Sequence, residues 1–121
     1  MFVKYLKDCR EFIAGDASLL RELLHPKKED LKIRYSLAHA TVKAGEVTEP
    51  HKLKSCEIYY VLEGRGLMHI DEKDFEVGPE CVVYIPPDSI QYIENTENYD
   101  LKFLCIVDPA WRKEDEEVLD R

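Results

Sequence analysis

The 121-residue sequence lacks the long apolar segments of membrane and secreted proteins. No uninterrupted apolar run exceeds five residues, and the opening stretch MFVKYLKDCREFIAG is broken by charges every few positions. A membrane span needs about 20 consecutive apolar residues, and a secretory signal needs an unbroken apolar core. The sequence therefore predicts a cytoplasmic protein with no membrane contact.

Positive charge is scarce relative to negative charge. Lysine and arginine number 17 against 25 aspartates and glutamates, which gives a formal net charge of -8, and no basic stripe with interleaved aromatic residues is present. Nucleic-acid binding depends on lysine and arginine side chains that neutralise phosphates. We therefore predict no nucleic-acid partner.

Cysteine pairs at short spacing are missing as well. Cys9, Cys56, Cys81 and Cys105 form no C-x-x-C motif. In a cytoplasmic chain, such cysteines are typically reduced and mostly buried. The spacing thus predicts neither a disulfide framework nor a zinc site made of thiolates.

The chain contains instead a series of short strand candidates separated by turn-forming residues. In the first, Leu31, Ile33, Tyr35 and Leu37 alternate with polar residues, which predicts that these four face a core. Many short strands with tight turns are typical of an antiparallel sandwich or barrel. The sequence thus predicts a single all-β domain with its barrel over residues 31–107, built from LKIRYSLAHATV, CEIYYVLE, GLMHID, DFEV, CVVYI, SIQYIEN and LKFLCIV.

Two short helices are predicted outside the barrel. In the N-terminal arm, residues 1–30, the segment ASLLRELL follows Asp16, a good helix cap, and stops before Pro26. In the C-terminal tail, residues 108–121, Asp108-Pro109 is a good helix start and AWRKEDEEVL predicts a short polar helix. Its acidic run, residues 114–117, would face solvent, and Trp111 would dock onto the barrel or onto a partner subunit.

Glu57 interrupts an otherwise apolar strand, CEIYYVLE. Alternation along the strand places Glu57, Tyr59 and Val61 on one face, and His51, six residues earlier, shares that parity if the segment is extended. A buried carboxylate without a partner costs several kcal/mol or takes up a proton. Glu57 is therefore expected to meet a cation, a metal or a hydrogen-bond donor.

The residues around Glu57 resemble the first motif of the cupin superfamily, G-x5-H-x-H-x3-E-x6-G. Gly45, His51, Glu57 and Gly64 follow its spacing, and Leu53 replaces the second histidine. The second motif, G-x5-P-x-G-x2-H-x3-N, resembles residues 80–95, where the successive motif places hold Glu80, Pro86, Asp88, Gln91 and Asn95. The resemblance covers roughly residues 31–107 and implies a cupin-type double-stranded β-helix, or jelly-roll, barrel.

Carried over residue by residue, the resemblance implies that His51, Glu57 and Gln91 are candidate metal ligands. Cupins hold a divalent ion such as zinc, manganese, iron or nickel in the barrel mouth. One imidazole, one carboxylate and one amide oxygen form a weaker set than the family's, and they fall short of the two-histidine, one-carboxylate triad of oxygen-activating iron sites. Alternatively, Glu57 pairs with a nearby lysine or arginine, and Gln91 satisfies a neighbouring backbone group or a ligand.

The remaining histidines carry weaker predictions. His39 could face the interior and complete the site, although a lone strand histidine is more often a hydrogen-bonded core or interface residue. His69 is expected to be structural, and His25 to bind carbonyl oxygens at a helix end. Tyr59 shares the parity of Glu57, so its hydroxyl could serve as an acid or substrate anchor, or its ring could fill the core.

Two classes of function follow. The first is a metal-dependent enzyme acting on a small metabolite, an isomerase or epimerase of sugars or sugar phosphates rather than a dioxygenase, in which Glu57 and Tyr59 move protons. The second is a non-catalytic module that binds a sugar or metabolite with a weak metal or none. A barrel filled by its own side chains is a third, purely structural option. In each case a homodimer is expected, through the outward apolar face of residues 56–62 and the N-terminal segment.

Overall fold

The computed structural model describes residues 2–119, and nearly all of their regular structure is β-strand. Helical structure in this range is confined to two single 3-10 turns, Leu6–Asp8 and Lys113–Asp115. The strands are β1 (Glu11–Ile13), β2 (Leu19–Leu24), β3 (Ser36–Val42), β4 (His51–Leu53), β5 (Cys56–Glu63), β6 (Gly66–Ile70), β7 (Lys73–Val77), β8 (Val82–Ile85), β9 (Gln91–Asn95), β10 (Leu101–Asp108) and β11 (Glu116–Val118).

The strands form two antiparallel sheets. The six-stranded sheet has the order β1-β2-β3-β10-β5-β8, and the five-stranded sheet has the order β11-β4-β9-β6-β7. Neighbours in these sheets come from distant parts of the chain, as they do in jelly rolls. The all-β barrel predicted from the strand pattern is confirmed.

One hydrophobic core joins the two sheets. Met68 and Ile93 enter it from the five-stranded sheet, and Val61, Ile85 and Leu101 enter it from the six-stranded sheet, each with less than 2% of its surface exposed. Burying side chains of this size contributes about 1.5–3 kcal/mol each. The core therefore holds the sheets together and fixes which face of each strand points inward.

Strand β5 has the bounds predicted for it, Cys56–Glu63. Glu57, Tyr59 and Val61 are buried, whereas Tyr60 and Leu62 are exposed, so the side chains alternate as expected. The acid at position 57 therefore points into the barrel.

The glycine places of the two motifs share one backbone feature. Gly45 and Gly64 have φ values of +72° and +87°, and Glu80 and Asp88, which occupy the glycine places of the second motif, have φ values of +67° and +64°. Glycine adopts this left-handed region without steric cost, and other residues seldom adopt it. The turns thus keep their shape although two of the glycines are absent.

The predicted N-terminal helix is wrong. Residues Leu19–Leu24 form β2, which pairs with β1 on one side and with β3 on the other, with Leu20 opposite both Phe12 and Ala40. A helix of eight residues is marginal in water by itself. Strands β1 and β3 provide backbone hydrogen-bond partners on both edges of this segment. This pairing outweighs the helix propensity of its leucines.

The predicted C-terminal helix is also wrong. Residues Lys113–Asp115 make a 3-10 turn, and Glu116–Val118 form β11, which pairs with β4 at the edge of the five-stranded sheet. Trp111 packs partly buried against the core, so its docking onto the barrel is confirmed. The last two residues of the predicted tail lie outside the described range.

Strand β3 differs from its prediction in both start and orientation. It begins at Ser36 rather than at residue 31, and Tyr35, expected to face the core, is 37% exposed. Ala40 and Val42 enter the core instead. Most of the alternating residues 31–37 thus precede the paired strand β3. The core-facing side chains of β3, Ala40 and Val42, are small.

Within residues 2–119, no helix is long and apolar enough to cross a bilayer.

Candidate functional site

Strands from both sheets bring the predicted site residues together inside the barrel. His51 begins β4, Gln91 begins β9, and the two residues are paired across the five-stranded sheet. Glu57 reaches the same place from β5 of the other sheet. His51, Glu57 and Gln91 are 3%, 5% and 1% exposed. The spacing of two separate sequence stretches thus produces one cluster of polar side chains.

Glu57 is the centre of this cluster. Gln91 Nε2 donates a hydrogen bond to Glu57 Oε1 at 2.6 Å. His51 Nε2 lies 4.0 Å from the same oxygen. His51 Nδ1 lies 3.2 Å from the backbone oxygen of Glu49, which can only accept, so Nδ1 carries the proton in this contact. In the neutral ring, Nε2 is then an acceptor that faces Glu57.

Gln91 links Glu57 to Tyr59. The Tyr59 hydroxyl donates to Gln91 Oε1 at 2.9 Å, while the amide nitrogen of Gln91 donates to Glu57. The Tyr59 ring lies against Phe103 with the ring centroids 4.4 Å apart. The Tyr59 ring therefore fills the core, which was one of the two alternatives, and its hydroxyl orients the amide; a role as acid or substrate anchor stays a prediction.

The Cys105 thiol is a member of the network that the sequence-based analysis missed. Cys105 Sγ donates to Glu57 Oε2 at 2.7 Å from strand β10, next to β5. Both oxygens of Glu57 thus have protein partners. The buried residues of β10 alternate as Phe103, Cys105 and Val107, and this period of two was the available signal.

A cavity of about 410 Å³ adjoins the network. Its walls are largely apolar, and its polar lining includes His51, Glu57, Tyr59 and Cys105. The other residues that line it are Arg10, Phe12, Ile13, Ala14, Gly15, Asp16, Ser18, Leu20, Glu22, Lys28, Ser36, Ala38, Ala40, Leu53, Phe103, Val107, Trp111, Lys113 and Glu116. A second hollow of about 700 Å³, lined by exposed side chains such as Phe75, Tyr84 and Ile90, contains none of the network.

The fold and the motif positions agree with a known family. The family model described as Cupin domain matches residues 38–107, more than half of the chain. The chain belongs to the cupin family.

Similar proteins match most or all of this cupin chain. An uncharacterized protein of Methanocaldococcus jannaschii is 46% identical over 112 residues, which cover 92% of this chain and 89% of the relative. A polyketide cyclase of Streptomyces resistomycificus superposes with a TM-score of 0.82 at 20% identity, covering 100% and 87% of the two chains. A predicted oxalate decarboxylase of Thermotoga maritima superposes with a TM-score of 0.77 at 25% identity, covering 89% and 99%.

The donor atoms around Glu57 do not fit a firmly held divalent metal as they are arranged. Gln91 presents N–H groups rather than its oxygen to Glu57, and its oxygen is bound to Tyr59. Leu53, in the place of the missing histidine, is 3% exposed and part of the apolar core. Within residues 2–119, no group of three His, Cys, Asp or Glu side chains is arranged to hold a metal.

Burial changes the proton affinity of the network. It raises the pKa of Glu57 above the ordinary 4.5, while His51 and the hydrogen bonds from Cys105 and Gln91 act in the opposite direction. Burial, together with the nearby Glu57 charge, raises the pKa values of Tyr59 and Cys105 well above their ordinary 10.0 and 9.0. Tyr59 and Cys105 therefore keep their protons, and Glu57 is the group in this network poised to exchange one.

Two further carboxylates reach the cavity from the terminal segments. Asp16 Oδ2 lies 4.0 Å from His51 Nδ1, and Asp16 Oδ1 accepts from the backbone and hydroxyl of Ser18 at 3.0 and 2.6 Å. Glu116, on β11, lines the cavity, and burial raises its pKa. Sequence analysis treated Asp16 as a helix cap and Glu116 as solvent-facing, because only long-range strand pairing brings them to His51.

The other histidines lie outside the site. His39 sits between Ala38 and Ala40, which line the cavity, so it points to the opposite face, where burial and the charges of Lys102 and Arg21 lower its pKa. His69 Nδ1 lies 2.6 Å from Asp74 Oδ1, and its ring stacks on Tyr92. His25 Nε2 donates to a backbone oxygen, as expected, but that oxygen belongs to Trp111.

Proposed function

We propose that this cupin binds a small molecule in its cavity and that Glu57 exchanges a proton with it. The observation that carries the proposal is the position of Glu57: a buried carboxylate that lines the cavity beside the acceptor nitrogen of His51. Buried carboxyl groups with a raised pKa make effective acids and bases near neutral pH. Tyr59 and Gln91 act as positioning residues, because their hydrogen bonds hold Glu57 in place.

Proton exchange of this kind suits isomerisation or epimerisation next to a carbonyl or hydroxyl group. Sugars are one substrate class with such groups. The lysines and arginine nearest the motifs, Lys52, Lys54 and Arg65, are not among the described residues that line the cavity. The cationic side chains that do line it, Arg10, Lys28 and Lys113, are exposed to solvent, whereas Glu57 is buried, so the proposal favours a substrate without a phosphate group over a sugar phosphate.

Metal binding by His51, Glu57 and Gln91 is the second candidate. It is supported by the convergence of His51 Nε2 and Glu57 Oε1, 4.0 Å apart, on the cavity that both residues line, where an imidazole and a carboxylate would hold the ion. For Gln91 to contribute its oxygen, the amide must turn over and give up its hydrogen bonds to Glu57 and Tyr59. The ion would be divalent, with zinc, manganese, iron and nickel as the candidates that the family suggests.

Elemental analysis of the purified protein separates the two candidates. Near-stoichiometric metal in the parent, lost in the His51→Ala, Glu57→Ala double variant, would establish a metal centre. Metal below about a tenth of an equivalent in both proteins, including after incubation with each ion and dialysis, supports the network without metal.

Proton exchange is tested by deuterium incorporation. Pools of hydroxy-carbonyl metabolites are incubated in deuterated water with the parent, Glu57→Gln and Glu63→Gln, and exchange of carbon-bound hydrogen is followed by NMR. Glu63 lies on the same strand with a side chain that is 64% exposed, so it is a matched control. We expect exchange with the parent and the control, and none with Glu57→Gln. Binding without exchange would leave the non-catalytic module as the function.

We also propose that the chain forms a homodimer and is cytoplasmic, as the sequence predicted. Support for the dimer comes from the outer face of the six-stranded sheet. Tyr60 and Leu62 of β5 are 40% and 42% exposed, and Val82 and Tyr84 of the neighbouring β8 are 66% and 59% exposed. A continuous apolar patch on a small protein is typical of an interaction surface.

A further inference from the structure

The cavity has more hydrogen-bond acceptors than available donors. Gln91 Nε2 and Cys105 Sγ already donate to Glu57, the Tyr59 hydroxyl donates to Gln91, and the Ser18 hydroxyl donates to Asp16. These donors are therefore satisfied within the protein, and a bound molecule would meet mainly oxygen and nitrogen acceptors.

The acceptors lie around His51. Its ring is 3% exposed, and its Nε2 lies 4.0 Å from Glu57 Oε1, too far for a hydrogen bond, while it lines the cavity. The carboxylate of Asp16 lies on the other side of the ring, 4.0 Å from Nδ1. Glu116 lines the same cavity and interacts electrostatically with both His51 and Asp16. A polar group that enters beside His51 therefore meets mainly hydrogen-bond acceptors, and a donating group suits it best.

Positive charge is confined to the outer part of the cavity wall. Arg10, Lys28 and Lys113 line the cavity but are exposed to solvent, whereas the carboxylate of Glu57 is buried. A charge in water is screened far more strongly than one in the protein interior. The inner cavity is therefore acidic in spite of the three cationic side chains.

The rest of the wall suits an apolar body. Leu53 and Val107 are buried, and with Leu20, Phe103 and Trp111 they provide aliphatic and aromatic surface. Leu53 stands where the first cupin motif has its second histidine, so the wall is apolar where the motif would place a ligand. Mostly apolar walls with a few converging polar groups are typical of small-molecule sites.

We propose that the cavity selects a ligand with an apolar, ring-sized body and a hydrogen-bond-donating or cationic head group, an alcohol or an amine, and that it excludes small carboxylates such as oxalate. The inference rests on the proposed function, since it specifies the ligand class of the same cavity. An ammonium or hydroxyl group would satisfy the acceptors around His51. In the inner cavity a carboxylate would face the carboxyl groups of Asp16, Glu57 and Glu116, while the cationic side chains of the wall lie exposed to solvent, which is unfavourable for a buried anion.

Three probes that differ only in the head group test this inference. Binding of 2-phenylethylamine, 2-phenylethanol and phenylacetate to the full chain is measured by calorimetry at pH 7, with oxalate as a fourth probe. We expect the amine and the alcohol to bind at least about tenfold more tightly than phenylacetate, because tenfold corresponds to about 1.4 kcal/mol, less than the repulsion of one like-charge contact near a protein surface. Oxalate is expected not to bind.

Variants identify the groups responsible. Glu116→Gln is expected to reduce the preference for the amine over phenylacetate severalfold, and Glu117→Gln, whose side chain is exposed on the same strand, is expected to leave it unchanged. Asp16→Asn provides the same test if Glu116→Gln does not fold.

The outcomes separate the inference from the proposed function. Equal or tighter binding of phenylacetate or oxalate would overturn the inference, and Glu57-dependent deuterium exchange would still support the proposed function. If both Glu116→Gln and Asp16→Asn keep the full preference for the amine over phenylacetate, these two carboxylates do not select the head group. If none of the four probes binds, the inference is overturned, and the proposed function is judged separately by the exchange experiment.

Discussion

The orientation of the Gln91 amide decides between a hydrogen-bonded network and a metal site, and a double-mutant cycle with Tyr59 tests it. The Tyr59 hydroxyl donates to Gln91 Oε1 at 2.9 Å, and the two residues are 4% and 1% exposed. Tyr59→Phe removes the donor but keeps the ring that packs on Phe103. Gln91 Oε1 is then left buried without this partner, which we expect to cost about 1–3 kcal/mol in the free energy of unfolding.

Gln91→Leu is expected to cost more, because Tyr59 and Glu57 each lose a buried hydrogen bond. In that background the Tyr59 hydroxyl has no amide to bind, so the further change Tyr59→Phe is expected to cost almost nothing. The coupling energy between the two positions should then be about 1–3 kcal/mol. Urea denaturation followed by the emission of Trp111, the single tryptophan, measures all four free energies.

The exposed Tyr84 provides the matched control. Its side chain is 59% exposed, and Tyr84→Phe is expected to change the free energy of unfolding by less than about 0.5 kcal/mol. If the effects of Tyr59→Phe and Gln91→Leu add to within about 0.5 kcal/mol, the two side chains are not hydrogen-bonded and the orientation assigned to Gln91 is refuted.

Three further predictions concern pH, backbone and assembly. Because burial raises the pKa of Glu57, the folded state binds the proton more tightly, and the stabilisation from protonated Glu57 is complete below pH 4.5 and is lost as pH rises. Relative to Glu57→Gln, the parent should lose stability in denaturation curves as pH rises above 4.5, and a parallel profile would contradict this. At Gly64 an added Cβ would lie 2.6 Å from a backbone oxygen, whereas at Gly45, which has a similar φ, it would meet nothing within 4 Å. Gly64→Ala should therefore lower the free energy of unfolding by at least about 2 kcal/mol and Gly45→Ala by about 1 kcal/mol. Equal losses would count against the crowded turn at Gly64. Sedimentation is expected to give a dimer of the 14.2 kDa chain that Tyr60→Glu converts to monomer, and a monomeric parent would refute the dimer.

The motif spacing predicted the fold and the convergence of His51, Glu57 and Gln91 because both depend on local rules. Alternation along β5 fixes which face Glu57 occupies, and the turns at residues 45, 64, 80 and 88, which share positive φ values, keep the strands in register. The bounds of β5 could be predicted for the same reason, since turn-forming residues lie at both of its ends.

Features that depend on distant strand pairing could not be predicted. Leu19–Leu24 reads equally well as a short helix or a strand, and its state is decided by β1 and β3 on either side. Asp16 and Glu116 come within reach of His51 through pairings that span most of the chain. The direction of the Gln91 amide depends on Tyr59, a partner 32 residues away.

The two terminal segments of the chain meet beside the cavity. A Cβ added at Gly15 would lie 2.6 Å from Glu116 Oε1, and both residues line the cavity along with Asp16. A side chain added at Gly15 would thus push against Glu116 and change the shape of the cavity wall. Residues about 100 positions apart in the sequence therefore set the shape of one part of the wall together.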